Sequence, residues 1–398
     1  MAFEFEMTDE QKMIRDTVKG MVKKIEPRRE EFRRMVMDEK KFPQELWDMF
    51  ADAGFLGALV PEEYGGTDMG LMAMAMALEE MGCHGFGNAF FILTTMATMC
   101  TLKNGTEEQK RRFLPRIVRG DMKIAFALTE PDAGSNTFRI STLAKKDGGA
   151  YRVTGQKVFI TGADVADAML LVTRTTSVDE CIKQGMPKAY GFSLFIAPTK
   201  AKGLEMKPIP TRGIEGMRQF TLYMEDMEVS ADDLIGQENM GSMALFNSLN
   251  PERILAAANT VGLSEHVIQK ACEYARERRV FGGKPIGSHQ AIQHPLAECK
   301  IEQEAVRLLV YKAATMFDAD AHPGQVGIYA NMAKYLAAEL GIKAVDRAME
   351  TLGGYGFSEE YGIIYYHDVV RLLKTAPISK EMILNFVGEH VLNLPRSY

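Results

Sequence analysis

The chain has 398 residues, of which 46% are hydrophobic and 25% are charged, and its formal net charge is −6. This length exceeds that of one compact core and predicts two or three domains. The acidic balance argues against nucleic acid as the main partner, because proteins that bind polyanions carry a basic surplus. The chain has no run of about 18 apolar residues, so no membrane span is predicted.

The opening residues, MAFEFEMTDEQK, lack the basic and apolar regions of a signal peptide and the arginine-rich character of a transit peptide. The five cysteines include no CxxC pair, and the seven histidines form no zinc pattern with them. We therefore predict reduced thiols, no metal site and a cytoplasmic location.

The pattern of residues 1–121 predicts an N-terminal helical domain. Thr8 and Gln11 fit a capping box, in which each side chain binds a backbone N–H of the other residue. Apolar residues then recur at helical spacing, and another apolar helix is predicted from Met69 to Met81.

Residues 122–235 predict a small β domain of barrel or sandwich type, because short strand-like runs alternate there with turn formers. The predicted strands are Tyr151–Thr154, Gln156–Ile160, Ala168–Arg174, Gly191–Ala197 and Phe220–Met227.

The pattern of residues 236–398 predicts a C-terminal helical domain. Long helical runs cover residues 243–279, 289–318 and 326–352, and short turns with Gly or Pro separate them. Such a pattern is typical of an antiparallel four-helix bundle. The predicted fold class is therefore α+β, with a middle β domain between two helical domains.

The most specific motif is FALTEPDAGSNT, at residues 126–137. Its glycine permits a close approach of the backbone to a flat ligand, and its hydroxyl groups can bind ring heteroatoms or phosphate. Taken alone, the motif also fits a tight turn. It is not the GxGxxG motif of a dinucleotide-binding fold.

Further motifs follow in order: KVFITGAD at 157–164, RRVFGGKPIGSHQAIQHPLA at 278–297 and LGGYGF at 352–357. Together with VPEEYGG at 60–66 and the three-part architecture, they make the whole chain resemble the acyl-CoA dehydrogenase family. The resemblance implies FAD as the cofactor. It also implies removal of two hydrogens from the α and β carbons of an acyl-CoA thioester.

One group of matching positions is implied to line the flavin ring: Phe126, Leu128, Thr129, Gly134, Ser135, Phe159 and Thr161. Many relatives have Trp where Phe159 stands. An aromatic side chain suits that position, since it can stack on the ring and exclude water.

A second group matches contacts to the FAD of a neighbouring subunit: Arg278, Phe281, Gln290, Gly353 and Gly354. This match implies a homotetramer. An arginine fork suits a diphosphate, although Arg278 by itself also fits an ordinary surface charge. Glu350 is left outside the predicted site, because a carboxylate near a diphosphate is unfavourable unless it is paired or points away.

Most of the family carries its catalytic glutamate in a motif near the C-terminus that resembles RDAxxxxIYEGT. The matching segment here, from Tyr366 to Met382, places Ala376 and then Pro377 where the glutamate is expected, and neither can accept a proton. In the isovaleryl- and long-chain-type enzymes the glutamate comes earlier, directly before an arginine. That place holds Glu252, so the resemblance implies Glu252 as the base, although in isolation it also fits a solvated helix residue.

The resemblance implies that Ser135, Asn250, Arg253 and Ala376 contact the substrate. The backbone N–H at the usual glutamate position donates to the thioester carbonyl in the family. Aligning Ala376 with that position keeps the donor, whereas a shift to Pro377 loses it, because proline has no N–H.

Residues 83–102, which match the acyl-binding region, contain no Arg or Lys. A carboxylate buried there would be unpaired, so we predict an uncharged acyl group: short or medium, branched or alicyclic. An electron-transferring flavoprotein is the expected electron acceptor. The alternatives are an enoyl-CoA reductase on the same scaffold, a catalytically silent flavoprotein that binds acyl-CoA, and an oxidase that uses oxygen directly.

Overall fold

The computed structural model describes residues 7–396, apart from the side chain of Asn247. The first six residues lie outside this range. They belong to the opening segment MAFEFEMTDEQK, for which no targeting signal is predicted. Within it, no helix is both long and apolar enough to cross a membrane.

The helices, in chain order, are α1 (Asp9–Ile25), α2 (Arg29–Met37), α3 (Gln44–Asp52), α4 (Gly70–Cys83), α5 (Ala89–Asn104), α6 (Glu107–Val118), α7 (Val178–Lys183), α8 (Gly241–Glu277), α9 (Gln290–Asp318), α10 (Pro323–Leu352), α11 (Ile364–Leu372) and α12 (Lys380–His390). The strands are β1 (Ile124–Ala127), β2 (Leu143–Asp147), β3 (Ala150–Thr161), β4 (Ala168–Arg174), β5 (Phe192–Pro198), β6 (Leu204–Ile209), β7 (Gln219–Ser230), β8 (Leu234–Ile235), β9 (Arg279–Val280) and β10 (Lys284–Pro285). Helical segments thus precede and follow a central sheet, as predicted.

The described residues form two compact units. The first unit contains residues 7–29, 70–87 and 253–396 and is mainly helical. The second contains residues 30–69 and 88–252 and includes the large sheet. The predicted boundaries of three sequence domains, at 121 and 235, are a different division of the chain and stay a prediction.

The sheet of the second unit has eight strands. Seven of them follow the order β6-β7-β3-β2-β4-β5-β8, and β1 pairs with β4 in parallel. All seven residues of β4 are buried. Burial on both faces explains why its sequence, AMLLVTR, does not alternate between apolar and polar residues. The pairing of β3 with β7 shifts register between Lys157 and Ile160, so β3 carries a bulge there.

Glycines set the packing of α4 against α8 in the first unit. A Cβ atom placed on Gly82 would lie 2.5 Å from the Asn259 carbonyl oxygen, and one on Gly262 would lie 2.0 Å from the Glu79 carbonyl oxygen. The two helices therefore approach more closely than any side chain would allow. A hydrophobic core on the C-terminal side of α8 joins residues of α8, α9, α10 and α11.

Several predicted elements are confirmed. Thr8 and Gln11 form the capping box of α1, and the three long helical runs correspond to α8, α9 and α10 with ends shifted by a few residues. The predicted strand Ala168–Arg174 is β4, and the two predicted strands on either side of Gly155 are one bent strand, β3. Strands β1, β2 and β6 were not predicted.

Candidate functional site

The FALTEPDAGSNT segment continues directly from β1 in the second unit. Phe126 lies in the strand, and Leu128 and Thr129, which follow it, are half-buried. Gly134 and Ser135 are exposed, and a Cβ atom on Gly134 would meet nothing within 4 Å. The segment therefore offers an open backbone surface next to partly covered side chains, which suits the approach of a flat ligand.

The bulge of β3 presents Phe159. Its backbone has a φ of +56°, in the left-handed region that costs a bulky residue energy, and its side chain is 61% exposed. A large aromatic group held in a strained conformation and facing solvent gains nothing for the isolated fold. It is the arrangement expected of a ring that covers a ligand.

Thr161 follows at the end of β3, and a buried glutamine fixes its hydroxyl. The Gln219 side-chain amide donates to Thr161 Oγ1 at 3.0 Å and also to the carbonyl oxygen of Met217. Gln219 is 6% exposed, so its amide has little freedom to turn. The sequence did not single out Gln219, because its role depends on the pairing of β3 with β7.

A buried ion pair joins the two motifs. Lys157, which is fully buried in β3, donates to Glu130 Oε1 at 2.8 Å and to the carbonyl oxygen of Leu128 at 2.9 Å. The backbone N–H of Val158 donates to the Thr129 carbonyl at 2.9 Å. The predicted flavin-lining residues of the two motifs are thus brought together.

Burial and charge compete at this ion pair. Burial lowers the pKa of Lys157 to about 8, although the Glu130 carboxylate opposes that shift. Burial also disfavours ionisation of Glu130, but the Lys157 ammonium and hydrogen bonds from Ser141 and Thr142 outweigh it and hold the pKa of Glu130 below its usual value. Both groups are therefore charged near neutral pH.

The first turns of α8 carry the predicted base. Asn250 and Glu252 are each only 9% exposed, so Glu252 is a buried carboxylate rather than a solvated helix residue. Pro251 lies inside the helix rather than at its start, because α8 begins ten residues earlier, at Gly241. Arg253, the next residue, is half-buried and belongs to the first unit.

In the first unit, a cavity of about 640 Å³ brings together Arg278, Gly353 and Gly354. Gly353 has a φ of +60°, which places the turn after α10 in the left-handed region that favours glycine. The remaining lining residues are Tyr274, Val280, Ile286, Glu350, Thr351, Leu352, Tyr355 and Ser358. A guanidinium group beside exposed glycine backbone suits a phosphorylated ligand.

Phe281 and Gln290 are not among the residues that line this cavity. Phe281 lies in the turn between β9 and β10, is 95% exposed and has a φ of +40°. Gln290 is the exposed first residue of α9. Their predicted contacts therefore concern a surface outside this cavity.

Glu350, which was left outside the predicted site, lines the cavity. Its carboxylate forms an ion pair with Arg347, one turn earlier in α10. The pairing removes the electrostatic objection to a carboxylate near a diphosphate. Tyr274, in the last turn of α8, was also missed, although its carbonyl oxygen accepts from the N–H of Arg278 directly after the helix at 2.9 Å.

Ala376 is half-buried after α11, and its N–H already has a partner. It donates to the carbonyl oxygen of Leu372 at 2.9 Å. A donor role toward a thioester therefore requires this bond to exchange. The carbonyl oxygen of Ile378, two residues later, accepts from the buried ammonium of Lys334 at 2.5 Å, which anchors the same segment.

Family models match most of the described residues. Three family models match: "Acyl-CoA dehydrogenase, N-terminal domain" at residues 8–121, "middle domain" at 125–227 and "C-terminal domain" at 239–392. "Acyl-CoA dehydrogenase FadE12" of Mycobacterium tuberculosis is 42% identical over 355 residues, 89% of each chain.

One further relative is similar to this chain in sequence, and one solved structure is similar to it in fold. "Cyclohex-1-ene-1-carbonyl-CoA dehydrogenase" of Syntrophus aciditrophicus is 35% identical over 379 residues, which cover 94% of this chain and 86% of that protein. The solved structure of butyryl-CoA dehydrogenase from Megasphaera elsdenii superimposes with a TM-score of 0.89 at 27% identity, covering 98% of this chain and 100% of that one.

Proposed function

The chain belongs to the acyl-CoA dehydrogenase family of FAD-dependent oxidoreductases that act on CH–CH groups, and we propose that its substrate is an uncharged acyl-CoA. In this proposal the α proton passes to Glu252 and the β hydrogen leaves as hydride. The observation that carries the proposal is the burial of the Glu252 carboxylate, in a chain whose usual base position holds Ala376.

The residues present fit FAD. Exposed Phe159, the open backbone at Gly134 and the fixed hydroxyl of Thr161 suit a flat heteroaromatic ring. The cavity beside Arg278 and Gly353 suits a diphosphate. When bound, the flavin supplies the acceptor for the β hydride. The protein supplies the base, the orientation of the thioester and the exclusion of water.

Glu252 is proposed to take the α proton. Burial favours this role, because it keeps water away from the reacting carboxylate. Asn250 and Arg253 flank it in sequence and are proposed to contact the acyl-CoA, together with Ser135 in the other motif. Ala376 is proposed to donate its N–H to the thioester carbonyl once the bond to Leu372 has exchanged.

The acyl group is proposed to be uncharged. The segment of α5 up to Leu102 has no Lys or Arg, and two of its hydroxyls are used locally. Thr95 donates to the Phe91 carbonyl at 2.6 Å, and Thr98 donates to the Thr94 carbonyl at 2.9 Å. A second carboxylate on the substrate would find no Lys or Arg there to pair with.

We propose that the protein is a homotetramer in which the exposed ring of Phe281, with Gln290, contacts the FAD of a neighbouring copy. Exposed apolar side chains elsewhere in the first unit support association. Ile301 is 70% exposed and Leu308, seven residues later on the same face of α9, is 57% exposed. The electrons are proposed to pass to an electron-transferring flavoprotein in the cytoplasm.

Substrate class is tested with a panel of acyl-CoA thioesters and an electron-transferring flavoprotein as acceptor. We expect butyryl-, isovaleryl- and cyclohexanecarbonyl-CoA to give kcat/KM values at least about tenfold above that of glutaryl-CoA, since an unpaired buried carboxylate costs more than 1.4 kcal/mol. Efficient turnover of glutaryl-CoA would contradict the uncharged acyl group. Enoyl-CoA reduction without detectable acyl-CoA oxidation would instead favour the reductase.

A further inference from the structure

Two charged residues lie between the two motif segments of the second unit that are proposed to face the flavin. Neither takes part in the reaction as proposed. Lys157 and Glu130 are 0% and 4% exposed. Removing two charges from water costs several kcal/mol each, which the attraction between them offsets only when further hydrogen bonds satisfy both groups. The hydrogen bonds of the two side chains indicate what this buried ion pair holds in place.

The hydrogen bonds of Glu130 hold one loop in place. Its Oε2 accepts from the N–H and the hydroxyl of Ser141 at 2.6 and 2.9 Å, and its Oε1 accepts from the Thr142 N–H at 3.0 Å. The carboxylate thereby closes the loop that contains the AGS sequence, because it ties residue 130 to residues 141 and 142. The exposed residues Gly134 and Ser135 lie within this closed loop.

The second bond of Lys157 holds the Leu128 backbone in place. The same ammonium that contacts Glu130 also binds the carbonyl oxygen of Leu128 at 2.9 Å. Lys157 precedes Phe159 by two residues, on the strand that carries the bulge. One cation therefore fixes the spacing between the two segments predicted to face the flavin.

We propose that Lys157 and Glu130 are positioning residues that hold the Leu128–Thr129 backbone and the Phe159 bulge at the separation a flavin requires. This inference rests on the proposed function, because it assigns FAD to these two segments. The pair acts through the backbone and through Phe159 and does not itself take part in proton or hydride transfer. Its loss should weaken FAD binding more than it weakens the fold.

The test uses a neutral pair, because a single substitution leaves a buried unpaired charge that can prevent folding. The double variant Glu130→Gln with Lys157→Met removes both charges together and also removes the bond to the Leu128 carbonyl. The matched control is Arg152→Met. Arg152 lies on the same strand as Lys157, and its substitution breaks an exposed ion pair with Glu228 of β7, whose closest N–O distance is 2.7 Å. Apoprotein of each variant is titrated with FAD, and its thermal unfolding is recorded.

The wild type and Arg152→Met should bind FAD alike. The double variant should fold but bind FAD about ten- to hundredfold more weakly, the usual worth of one charged hydrogen bond. Wild-type affinity in the double variant would overturn the proposal. Failure of the wild type itself to bind FAD would instead overturn the proposed function, so the two failures are distinguishable.

A pH profile separates positioning by charge from simple packing. The Glu130 carboxylate contacts Lys157 and also interacts electrostatically with Arg174. Since the pKa of Lys157 is lowered to about 8, FAD affinity of the wild type should fall as the pH rises through that value. Lys157→Arg keeps its charge and should show a flat profile. The same fall in both proteins would contradict a role for this ammonium.

Discussion

At the scale of single residues, the proposed chemistry depends on a glutamate and an alanine. The family resemblance aligns Ala376 with the usual position of the base and Glu252 with the earlier position. Burial of Glu252 in α8 distinguishes it from the other acidic residues of that helix, such as exposed Glu273. We propose that a base at this position acts on the same α carbon from a different segment of the chain.

Glu252→Gln should therefore slow flavin reduction by acyl-CoA by about 10² to 10⁴, the usual contribution of a positioned base. Glutamine keeps the size of the side chain but cannot take a proton, so FAD content and acyl-CoA affinity should change little. Rapid anaerobic mixing measures the reduction rate. Glu273→Gln, on an exposed site of α8, is the matched control and should reduce its flavin at the wild-type rate.

A near-wild-type rate in Glu252→Gln would move the base to another carboxylate. Asp368 and Glu381 would then be the next candidates, because both lie in the segment that usually carries it. The combined variant Glu252→Gly with Ala376→Glu tests the same geometry from the other position. Partial recovery of flavin reduction is expected if the two positions flank the same carbon.

His266 gives the first unit a pH-dependent stability. Burial, together with the charges of Arg29 and Lys270, lowers the pKa of His266 to about 3, against an opposing bond to the Cys83 carbonyl. An unfolded histidine takes up its proton near pH 6.5. Between these values the unfolded chain binds more protons, so the free energy of unfolding decreases as the pH falls.

Between about pH 7 and pH 5, His266 should contribute a loss of about 2 kcal/mol, at 1.36 kcal/mol per pH unit below 6.5. The variant His266→Gln cannot be protonated and should show a correspondingly smaller loss in denaturant unfolding at the two pH values. His294→Gln, on the exposed face of α9, is the control. Equal losses in wild type and His266→Gln would show that this histidine does not titrate on unfolding.

The short β9–β10 hairpin is the element that most clearly lacks a function within one chain. Its turn holds Phe281 in a left-handed conformation with the ring in solvent, and Arg279 donates to the Gly283 carbonyl at 2.8 Å to close it. Glycine at position 281 would relieve the backbone strain, which is typically about 1 kcal/mol or more. Retention of the ring therefore points to a contact outside the isolated fold.

Phe281→Gly should leave the thermal stability of the apoprotein unchanged or slightly raised, because the strain is relieved. It should weaken FAD retention by about tenfold and shift the light-scattering mass below that of a tetramer, since the ring is proposed to contact the FAD of a neighbouring copy. Ile182→Ala, another exposed apolar side chain in α7, is the control. A tetramer with full FAD content in Phe281→Gly would contradict the proposed contact.

The long elements could be predicted because their patterns are local. Helices α8, α9 and α10 show helical periodicity over many turns, and β4 is an apolar run with turn residues on both sides. Strands β2 and β6, with the sequences LAKKD and LEMKPI, have too many charged residues for a strand to be recognised. Their pairing with β3 and β7 stabilises them, and pairing is not visible in a single sequence.

The site shows the same limit. The two motifs could be found because the residues that face a ligand stand together in the sequence. Their connection through Lys157 and Glu130 could not, since a charged residue in a strand pattern is ordinarily expected to face solvent. Gln219 was missed for the same reason, because strand pairing brings it to Thr161. Tyr274 lies four residues before Arg278, and that spacing could have indicated it.

At the scale of the whole molecule, the chain carries two sets of residues that are proposed to bind FAD, one in each compact unit. The second unit contributes the motif segments with Phe159 and Glu252, and the first contributes the cavity with Arg278. We predict that both sets serve one reaction, in which an uncharged acyl-CoA loses a proton and a hydride.

Anaerobic titration of the purified holoenzyme tests whether the flavin of this chain oxidises an uncharged acyl-CoA. The protein should be isolated yellow, with one non-covalent FAD per chain, and the yellow absorbance should bleach when an uncharged acyl-CoA is added in the absence of oxygen and of any other acceptor. Butyryl-, isovaleryl- and cyclohexanecarbonyl-CoA cover the predicted acyl classes. Bleaching by at least one of them confirms dehydrogenation; an oxidised flavin that binds all three but stays yellow would contradict it.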